Sequence, residues 1–463
     1  MKRICLVFTG SQYESWNKTG IIQKLNQNFK LEIYIVNPKE KLESLEENVK
    51  IVLVQDPGKV IKALYDINQI QNLDKSKSFI FRLKRMYFGP ADIKYYRWNS
   101  FLFYKILILK AKTCIGFSIH NLVLTVALFR IFNRTLSNVL QVIFWKSISK
   151  SYKKTENIFD NSDAQLVIFP STGTELQVFN MLAMAKILGK QTLITLENWD
   201  NLTSKSTFLF KPDYLTVMGP KMLKQAQKMY DFSEDEIAIT GLPRFEAIHN
   251  YSSEMRQSRL QTHADKKFKI LYLGYSLPYN EISTLNAIAK ILEESKLREN
   301  WSITYRPHPF RQKRFFEEKF FNTTNSRLLK DETHLETSRS HTKKLPTIQD
   351  AYINQLLSYD LIVATPTTMC LETILLKLPT IIDGCDDQSH ITTPKSALRS
   401  YLHLEDLFEI ENLKISHSPE AIVEHILDYL KSPPYMHQYT YKSIIQNNFS
   451  YSNQLIEFIN KCN

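Results

Sequence analysis

The sequence predicts an α/β fold with two Rossmann-like, doubly wound parallel-sheet domains and a basic, aromatic-rich helical insertion in the first. Short apolar strands alternate with amphipathic helices in both halves of the chain. A polar stretch separates the halves, and a basic segment at about 75–155 interrupts the first half. We therefore expect an N-terminal domain, a linker, a C-terminal domain, and a C-terminal helix that packs back on the N-terminal domain. These divisions are 1–250, 251–267, 268–440 and 441–463.

Composition is that of a globular protein, because 43% of the 463 residues are hydrophobic and 23% are charged. The chain has only 11 glycines, so glycine-rich phosphate loops are not available. A phosphate would have to be held by helix ends, hydroxyls and basic side chains.

The five cysteines form no CxxC pair, which is typical of a reduced, cytosolic protein. The start of the chain reads as a strand and shows no signal peptide.

The N-terminal half has the periodicity of a doubly wound sheet. Strands are predicted at 3–9, 31–36, 49–54, 165–169, 192–196, 214–217 and 237–240, and helices at about 15–28, 59–69, 175–188 and 220–230. Ligands bind such sheets at the carboxyl ends of the strands. Thr9, Gly10 and Ser11 follow the first strand, and Thr172 follows the fourth, so we expect them to line a cleft.

A polar run with a bulky aromatic follows the strand at 192–196. Asn198, Trp199 and Asn201 are its central residues. A solvated loop rarely needs a tryptophan, so these residues are predicted to form a cleft wall that meets the acceptor.

The basic segment at 75–155 carries 16 lysines and arginines and one acid, Asp92, although the net charge of the whole chain is only +12. Aromatic and aliphatic runs lie between these charges. The longest uncharged run, 113–129, is too short for a membrane span and holds His120 and Asn121. An amphipathic element on an anionic membrane surface fits better, and helices packed within the first domain remain an alternative. Nucleic acid is not predicted as a partner, since no recognition motif accompanies the charge.

The C-terminal half repeats the alternation after the linker. Strands are predicted at 268–273, 302–305, 361–364 and 380–382, helices at about 281–294, 310–321, 348–358, 419–431 and 441–461, and a polar, mobile stretch at 323–344. Gly274 and Ser276 lie in the turn after the first of these strands. That position predicts that they line the ligand-binding edge of the sheet.

A strand, a hydroxyl-rich turn and a helix start follow one another in LIVATPTTMCLETILLKLPTIID, at 361–383. Thr367 and Thr368 can cap a helix that begins at about Met369, and the free N–H groups of its first turn favour an anion. Glu372 lies one helical turn further on, where its carboxylate could accept hydrogen bonds from the two hydroxyls of a ribose.

Arg306 and His308 belong to an Arg-Pro-His-Pro run at the end of another strand. The two prolines restrict the backbone, so the imidazole has little freedom to lose on binding. An imidazole can donate a hydrogen bond to a phosphate or a leaving oxygen, and a guanidinium can bind the same group with two hydrogen bonds. Both residues are therefore candidates for phosphate binding, and His308 is also a candidate for catalysis.

These motifs together resemble a known family. The chain is similar to GT-B nucleotide-sugar glycosyltransferases in three places. These are RPHP, TPTTxxxE with LKLPTII, and the block ENWDNLTSK with KPDYLTVMGPKMLKQAQ and IAITGLPRFE. Within that group the chain looks closest to enzymes of bacterial surface and capsular polysaccharide synthesis and to the CDP-glycerol glycerophosphotransferase and capsule-polymerase branch. The resemblance covers about 158–383. The glycine-rich turns of many GT-B enzymes and the Glu-x7-Glu pattern of retaining members are missing, so the stereochemistry stays open.

The resemblance implies donor binding by the C-terminal domain and no bound metal or other cofactor. In that case Arg306 and His308 contact the donor phosphates, Thr367 and Thr368 hold phosphate at the helix end, and Glu372 binds the ribose. An inverting transfer also needs a base near the acceptor hydroxyl. The candidates on the N-terminal domain are Glu14, Glu175 and Asp200, and the sequence does not separate them.

We therefore expect a glycosyltransferase that moves a sugar from a nucleotide donor to a surface glycan, with a lipid-linked acceptor. A CDP-alditol-type phosphotransferase of capsule or teichoic-acid-like polymers is the alternative, and a non-catalytic membrane-associated scaffold is a second one. The protein is expected to be cytoplasmic and peripheral at the inner face of the cell membrane, with the segment at 75–155 on anionic lipid.

Overall fold

The computed structural model describes most of two α/β units. The described residues are 1–37, 49–53, 159, 162–171, 176–205, 208, 211–249, 267–295, 300–308, 325–331, 348–431, 439–445 and 450–462. The first unit is formed by the N-terminal half of the chain together with the residues from Ser443 onward, and the second by the residues between Ala247 and Lys442. The basic segment at 75–155 and all of the proposed linker except Lys267 lie outside the described residues.

The first unit contains a parallel sheet of seven described strands in the order β3-β2-β1-β4-β5-β6-β7. Its strands are β1 (Arg3–Thr9), β2 (Lys30–Val36), β3 (Val49–Val52), β4 (Leu166–Ser171), β5 (Gln191–Leu196), β6 (Tyr214–Val217) and β7 (Ile237–Ile239). Its helices are α1 (Gly10–Lys18), α2 (Ile21–Asn28), α3 (Leu176–Ile187), α4 (Pro220–Tyr230) and the C-terminal helix. The one-turn helix α5 (Glu246–His249) contains the point in the sequence, after Glu246, at which the first unit ends and the second begins.

The core of the first unit forms because its central strands, such as β1 and β4, are apolar on both faces. Phe8 of β1 packs edge-on against Trp16 of α1, with 5.4 Å between ring centroids. The C-terminal helix, α11 (Tyr451–Lys461), adds Tyr451, Leu455 and Phe458 to the same core. The end of the chain therefore completes the hydrophobic core of its first strands.

The first helical region differs from the prediction of one helix over 15–28. Helix α1 begins directly after β1, at Gly10, and Thr19 and Gly20 separate it from α2. Gly20 has a φ of 74°, a left-handed conformation that favours glycine and ends the helical path. Gly10 and Ser11, predicted to precede the helix, are therefore its first residues.

The second unit contains a parallel sheet of six described strands in the order β10-β9-β8-β11-β12-β13. Its strands are β8 (Phe268–Leu273), β9 (Trp301–Arg306), β10 (Leu328–Lys330), β11 (Leu361–Ala364), β12 (Thr380–Asp383) and β13 (Lys414–Ser416). Its helices are α6 (Glu281–Glu294), α7 (Ile348–Leu356), α8 (Thr368–Leu375), α9 (Pro394–Ser400) and α10 (Pro419–Lys431), with a 3-10 segment at Leu402–Glu409.

Several predicted boundaries in the second unit need correction. The stretch at 323–344, predicted to be polar and mobile, contains the edge strand β10, whose Leu328 is buried. Strand β13 and helix α9 were not predicted, because each is short and has little apolar periodicity. The predicted helix over 310–321 lies outside the described residues.

Two all-parallel sheets, each flanked by helices, confirm the predicted fold class of two Rossmann-like domains. Among the residues that the structure describes, no helix is both long enough and apolar enough to cross a membrane.

Candidate functional site

The C-terminal sheet has a topological switch point between β8 and β11. The chain builds outward from β8 through β9 to β10 and then returns to place β11 on the other side of β8. Both strands pair in parallel, with Leu273 opposite Ala364 at their carboxyl ends. Helices that leave on opposite faces open a crevice at such a point, and this is where open α/β sheets bind ligands. The turn after β8 and the start of α8 lie at this crevice.

Gly274 brings the turn after β8 into close contact with the end of β9. Its N–H donates to the Arg306 carbonyl oxygen at 2.9 Å. A Cβ at this position would stand 2.9 Å from that oxygen, 3.0 Å from the His308 nitrogen and 3.1 Å from Glu281 Oε2. Only glycine fits without movement of backbone atoms. The predicted site residues Gly274, Arg306 and His308 are therefore neighbours.

Arg306 is buried, with 2% of its surface exposed. Its Nε donates to Asp331 Oδ2 at 2.6 Å, and its Cζ lies 5.7 Å from the centre of the Tyr352 ring. Nη1 and Nη2 are shielded from water and have no hydrogen-bond partner among the described residues. Unpaired donors of a buried cation are costly, on the order of 1–3 kcal/mol each or more. An anionic ligand oxygen would remove that cost.

Tyr352 of α7 links Arg306 to Glu372 of α8. Its phenol O–H donates to Glu372 Oε2, and its ring faces the guanidinium of Arg306. Glu372 is itself buried, at 2% exposure. The phosphate-binding arginine and the ribose-binding glutamate proposed from the sequence thus share one neighbour and lie on the same side of the unit.

Helix α8 begins where the sequence predicts a phosphate site. Thr367 is its N-cap residue with extended backbone (φ −135°, ψ 167°), and Thr368 is the first helical residue. The Thr367 side chain makes no capping hydrogen bond, and its Oγ1 has no partner among the described residues. The Cys370 N–H already donates to the Thr367 carbonyl oxygen at 3.1 Å. A ligand would therefore meet the Thr367 hydroxyl and the earlier N–H groups of the first turn, where the helix dipole favours an anion.

His308 and Ser276 complete the donor-side residues. Both are half-buried, His308 two residues beyond the end of β9 and Ser276 in the turn after β8. The six strands all run in parallel, so these residues share the carboxyl edge of the sheet with Thr367 and Thr368.

Two buried carboxyl groups support this edge, and sequence reasoning missed them. Glu281, fully buried at the start of α6, accepts the Tyr275 N–H with one oxygen and the Tyr305 hydroxyl with the other. Asp383, at the end of β12, accepts the Tyr272 hydroxyl, and burial raises the pKa of this carboxyl. Glu281 thereby joins the turn after β8 to strand β9. Its sequence position, an acid at a helix start, did not reveal that role.

The candidate residues of the first unit are less closely grouped. The Thr9 hydroxyl donates to Gln12 Oε1 at 2.8 Å, so Thr9 stabilises the start of α1. Glu14 is an exposed acid of α1 whose carboxylate lies 3.9 Å from Lys18 Nζ. Thr172 and Glu175 lie outside the described residues.

The run after β5 folds into a tight local structure. Trp199 is 2% exposed, and Asn201 is buried with its amide donating to the Ser171 carbonyl at 2.9 Å. Asn198 Oδ1 accepts from Arg244 at 3.2 Å. Asp200 pairs with Lys205 at 3.0 Å and also accepts from the Ser204 hydroxyl. These contacts show what holds the segment, and its role at an acceptor site remains a proposal.

No group of three or more potential metal ligands occurs among the residues with described positions.

A family model of CDP-glycerol:poly(glycerophosphate) glycerophosphotransferases matches residues 145–337 of the chain. The predicted resemblance is confirmed. The match includes the block after β5 and Arg306 and His308, and it supports a transferase that uses a nucleotide-activated donor. No curated protein matches the chain significantly.

Solved structures share the fold at low identity. A proposed UDP-N-acetylglucosamine 2-epimerase from Listeria monocytogenes has a TM-score of 0.50 at 12% identity, over 99% of this chain and 96% of that one. The Methanocaldococcus jannaschii UDP-GlcNAc 2-epimerase in complex with UDP-GlcNAc and UDP has a TM-score of 0.48 at 12% identity, over 99% of both chains. The wall teichoic acid polymerase TagF has a TM-score of 0.45 at 12% identity, over 99% of this chain and 88% of that one.

Proposed function

We propose that the chain transfers an activated group from a nucleotide donor to an acceptor of surface-polymer synthesis. The observation that carries this proposal is the buried Arg306, whose two terminal nitrogens have no partner among the described residues. A phosphate of the donor would take those hydrogen bonds. His308 and the start of α8 would share the remaining phosphate oxygens, and Glu372 would bind the ribose. The donor is the substrate, and no metal or other cofactor is proposed.

The family match favours transfer of a phosphoalditol from a CDP-alditol donor. In such a reaction the acceptor oxygen attacks phosphorus, the phosphoanhydride bond breaks, and CMP leaves. His308 would then donate a hydrogen bond to a phosphate oxygen as charge develops on it. The basic Arg306 would stabilise the same charge.

Glycosyl transfer is the second candidate, favoured by the Thr-Thr-x-x-x-Glu run at Thr367–Glu372 that resembles nucleotide-sugar enzymes. In that reaction the acceptor attacks the sugar carbon, the carbon–oxygen bond breaks, and a nucleoside diphosphate leaves. The two candidates therefore differ in the nucleotide released.

Product analysis decides between them. The full chain is incubated with CDP-glycerol or UDP-N-acetylglucosamine, and the released nucleotide is identified by chromatography. CMP supports phosphoalditol transfer, and UDP supports glycosyl transfer. If neither CDP, CMP, UDP nor GDP raises the melting temperature of the protein, and neither donor is consumed, the chain is a scaffold that keeps the fold.

The acceptor is proposed to be a lipid-linked or surface glycan at the inner face of the cell membrane. Support comes from the charge and the aromatic residues of the segment at 75–155. Flotation with vesicles that contain anionic lipid tests the docking. We expect the protein to bind the vesicles at low salt and to bind them less at high salt. No binding at low salt would refute the docking proposal.

A further inference from the structure

Two helices begin at the switch point of the second sheet, and the chain treats their first turns differently. Helix α8 has no side-chain cap, and the Thr367 hydroxyl has no partner among the described residues. At the start of α6, protein acceptors take backbone N–H groups. The Asn280 N–H donates to Asp387 Oδ2 at 2.7 Å, and the Ser283 N–H donates to Asn280 Oδ1 at 3.1 Å. The chain itself therefore satisfies the α6 turn.

Glu281 places a carboxylate at this turn. It is fully buried and is the first residue of α6. One of its oxygens accepts the Tyr275 N–H, and the other accepts the Tyr305 hydroxyl. A buried carboxylate is costly unless donors and dipoles compensate for it, and the positive end of a helix is such a dipole. Glu281 thus takes the anion position of the first strand–helix turn, which phosphate occupies in dinucleotide-binding folds.

The same carboxylate closes a ring of hydrogen bonds around the end of β9. Tyr275 follows Gly274, whose N–H donates to the Arg306 carbonyl oxygen at 2.9 Å. Tyr305 precedes Arg306, and its hydroxyl donates to Glu281. A Cβ on Gly274 would lie 3.1 Å from Glu281 Oε2 and 2.9 Å from the Arg306 carbonyl oxygen, so the ring is tightly packed. The backbone at Arg306 is thereby tied to the turn after β8.

Glu281 holds β9 from the face opposite to the Arg306 side chain. Tyr305 and Arg306 are consecutive in β9, so their side chains point to opposite faces of the sheet. Tyr305 reaches Glu281 of α6, and Arg306 faces the Tyr352 ring of α7. Glu281 therefore acts on the proposed phosphate site through the position of Arg306.

We propose that Glu281 is a positioning residue of the donor site and that its carboxylate replaces phosphate as the anion of the α6 turn. The inference rests on the proposed function. The donor phosphates are then left to the Arg306 terminal nitrogens and to the start of α8. Loss of the carboxylate leaves the α6 turn without its anion, and the Arg306 backbone loses its support.

Chemical rescue in the full chain tests this proposal. In Glu281→Ala the Tyr275 N–H and the Tyr305 hydroxyl lose their acceptor. We expect the affinity for CDP or UDP, measured by isothermal titration calorimetry, to fall by about 10-fold. Sodium formate supplies a free carboxylate and should restore much of that affinity. Formamide is neutral and of similar size, and it should not restore the affinity.

Glu293→Ala is the matched control. Glu293 is an exposed acid near the other end of α6, and its carboxylate lies 3.4 Å from Arg327 Nη1. This variant should bind nucleotide as the wild type does, with or without formate. A Glu281 side chain that only filled space would be replaced by formamide as well as by formate.

Each other outcome has a definite meaning. Wild-type affinity in Glu281→Ala, equal rescue by formamide, or no rescue by formate overturns the inference and leaves the proposed function intact. A wild-type protein that binds neither CDP nor UDP refutes the proposed function and the inference with it. If Glu281→Ala does not fold, Glu281→Gln decides, since glutamine keeps the shape and removes the charge. The expected result is weaker nucleotide binding, and wild-type affinity overturns the inference.

Discussion

Arg306 and Asp331 form a buried ion pair in the second unit, with 2.6 Å between Nε and Oδ2 and side-chain exposures of 2% and 3%. The pair uses one of the guanidinium nitrogens and leaves the other two without a partner among the described residues. A buried ion pair adds little to stability by itself, since desolvation offsets the attraction. Its geometry instead holds the two terminal nitrogens in place at the end of β9, which is what binding of a phosphate requires.

Replacement of Arg306 by lysine tests this arrangement. Lysine keeps the positive charge but cannot donate to Asp331 and to a phosphate in the same fork geometry. We expect the affinity for CDP or UDP to fall by at least about 10-fold, because one or two charged hydrogen bonds are lost. Isothermal titration calorimetry measures this affinity. Arg327→Lys is the control, since Arg327 also faces an aromatic ring, with its Cζ 5.5 Å from the centre of the Trp301 ring at the opposite end of β9. Equal affinity in Arg306→Lys and wild type would show that Arg306 does not contact the phosphate.

Replacement of Tyr352 by phenylalanine separates ribose binding from phosphate binding. The ring beside Arg306 stays, and only the hydrogen bond to Glu372 is lost. We expect Glu372 to lose its orientation, so that CDP or UDP binds several-fold more weakly, while inorganic pyrophosphate binds as in wild type. Tyr439→Phe is a matched control, because the Tyr439 hydroxyl donates to the Leu378 carbonyl at 3.0 Å and accepts the Thr380 N–H at the amino end of β12. A parallel loss for pyrophosphate would contradict separate roles for the two side chains.

Gly274→Ala tests the close approach of the β8 turn to the end of β9. A methyl group at this position would meet two backbone atoms of the Arg306–His308 segment at 2.9 and 3.0 Å. The backbone must move, at a cost of about 1–3 kcal/mol. Denaturant unfolding should show that loss, and nucleotide affinity should fall with it. An alanine variant with wild-type stability and wild-type affinity would mean that the turn is not held as described.

Glu246 predicts a pH dependence of stability in the first unit. It is 1% exposed and joins Lys24 at 2.8 Å to the hydroxyls of Ser450 and Ser452 at 2.7 Å. Burial alone would raise its pKa, but hydrogen bonds from Lys24, Ser452 and Ser450 outweigh burial and lower the pKa. A lowered pKa means that the contribution to stability is complete above the unfolded-state value, about 4.3. That contribution is lost as the pH falls through the lower folded-state value.

The corresponding variant is Glu246→Gln. At neutral pH we expect its free energy of unfolding to fall by about 1–3 kcal/mol, since charged hydrogen bonds are lost in a buried site. Chemical denaturation at pH 7 and at decreasing pH measures the difference, which should shrink toward acid. Glu457→Gln removes an exposed pair with Lys461 on α11 and should change little. A difference that is constant with pH would rule out the ionised Glu246 as its source.

Much of the fold follows from local sequence. Phe268–Leu273 and Leu361–Ala364 were predicted to the residue, because both are uninterrupted apolar runs bounded by turn residues. The strand Leu328–Lys330 was missed because it is only three residues long and lies at the sheet edge, where pairing with β9 stabilises it. Edge strands need less apolar sequence, so periodicity does not reveal them.

The candidate site likewise contains residues that the sequence indicates and residues that it does not. Arg306, His308, Thr367 and Glu372 were predictable because each stands at the end of a strong strand or the start of a helix. Their partners were not, since Asp331 and Tyr352 come from segments 20 or more residues away in sequence and meet the site only through tertiary packing.

The most direct test of the proposed donor site is a crystal structure of the full chain soaked with CDP or UDP. We expect phosphate oxygens in contact with the Arg306 terminal nitrogens and with the N–H groups at the start of α8, and a ribose hydroxyl in contact with Glu372. A nucleotide bound away from the carboxyl ends of β8, β9 and β11, with Arg306 still unpaired, would contradict it.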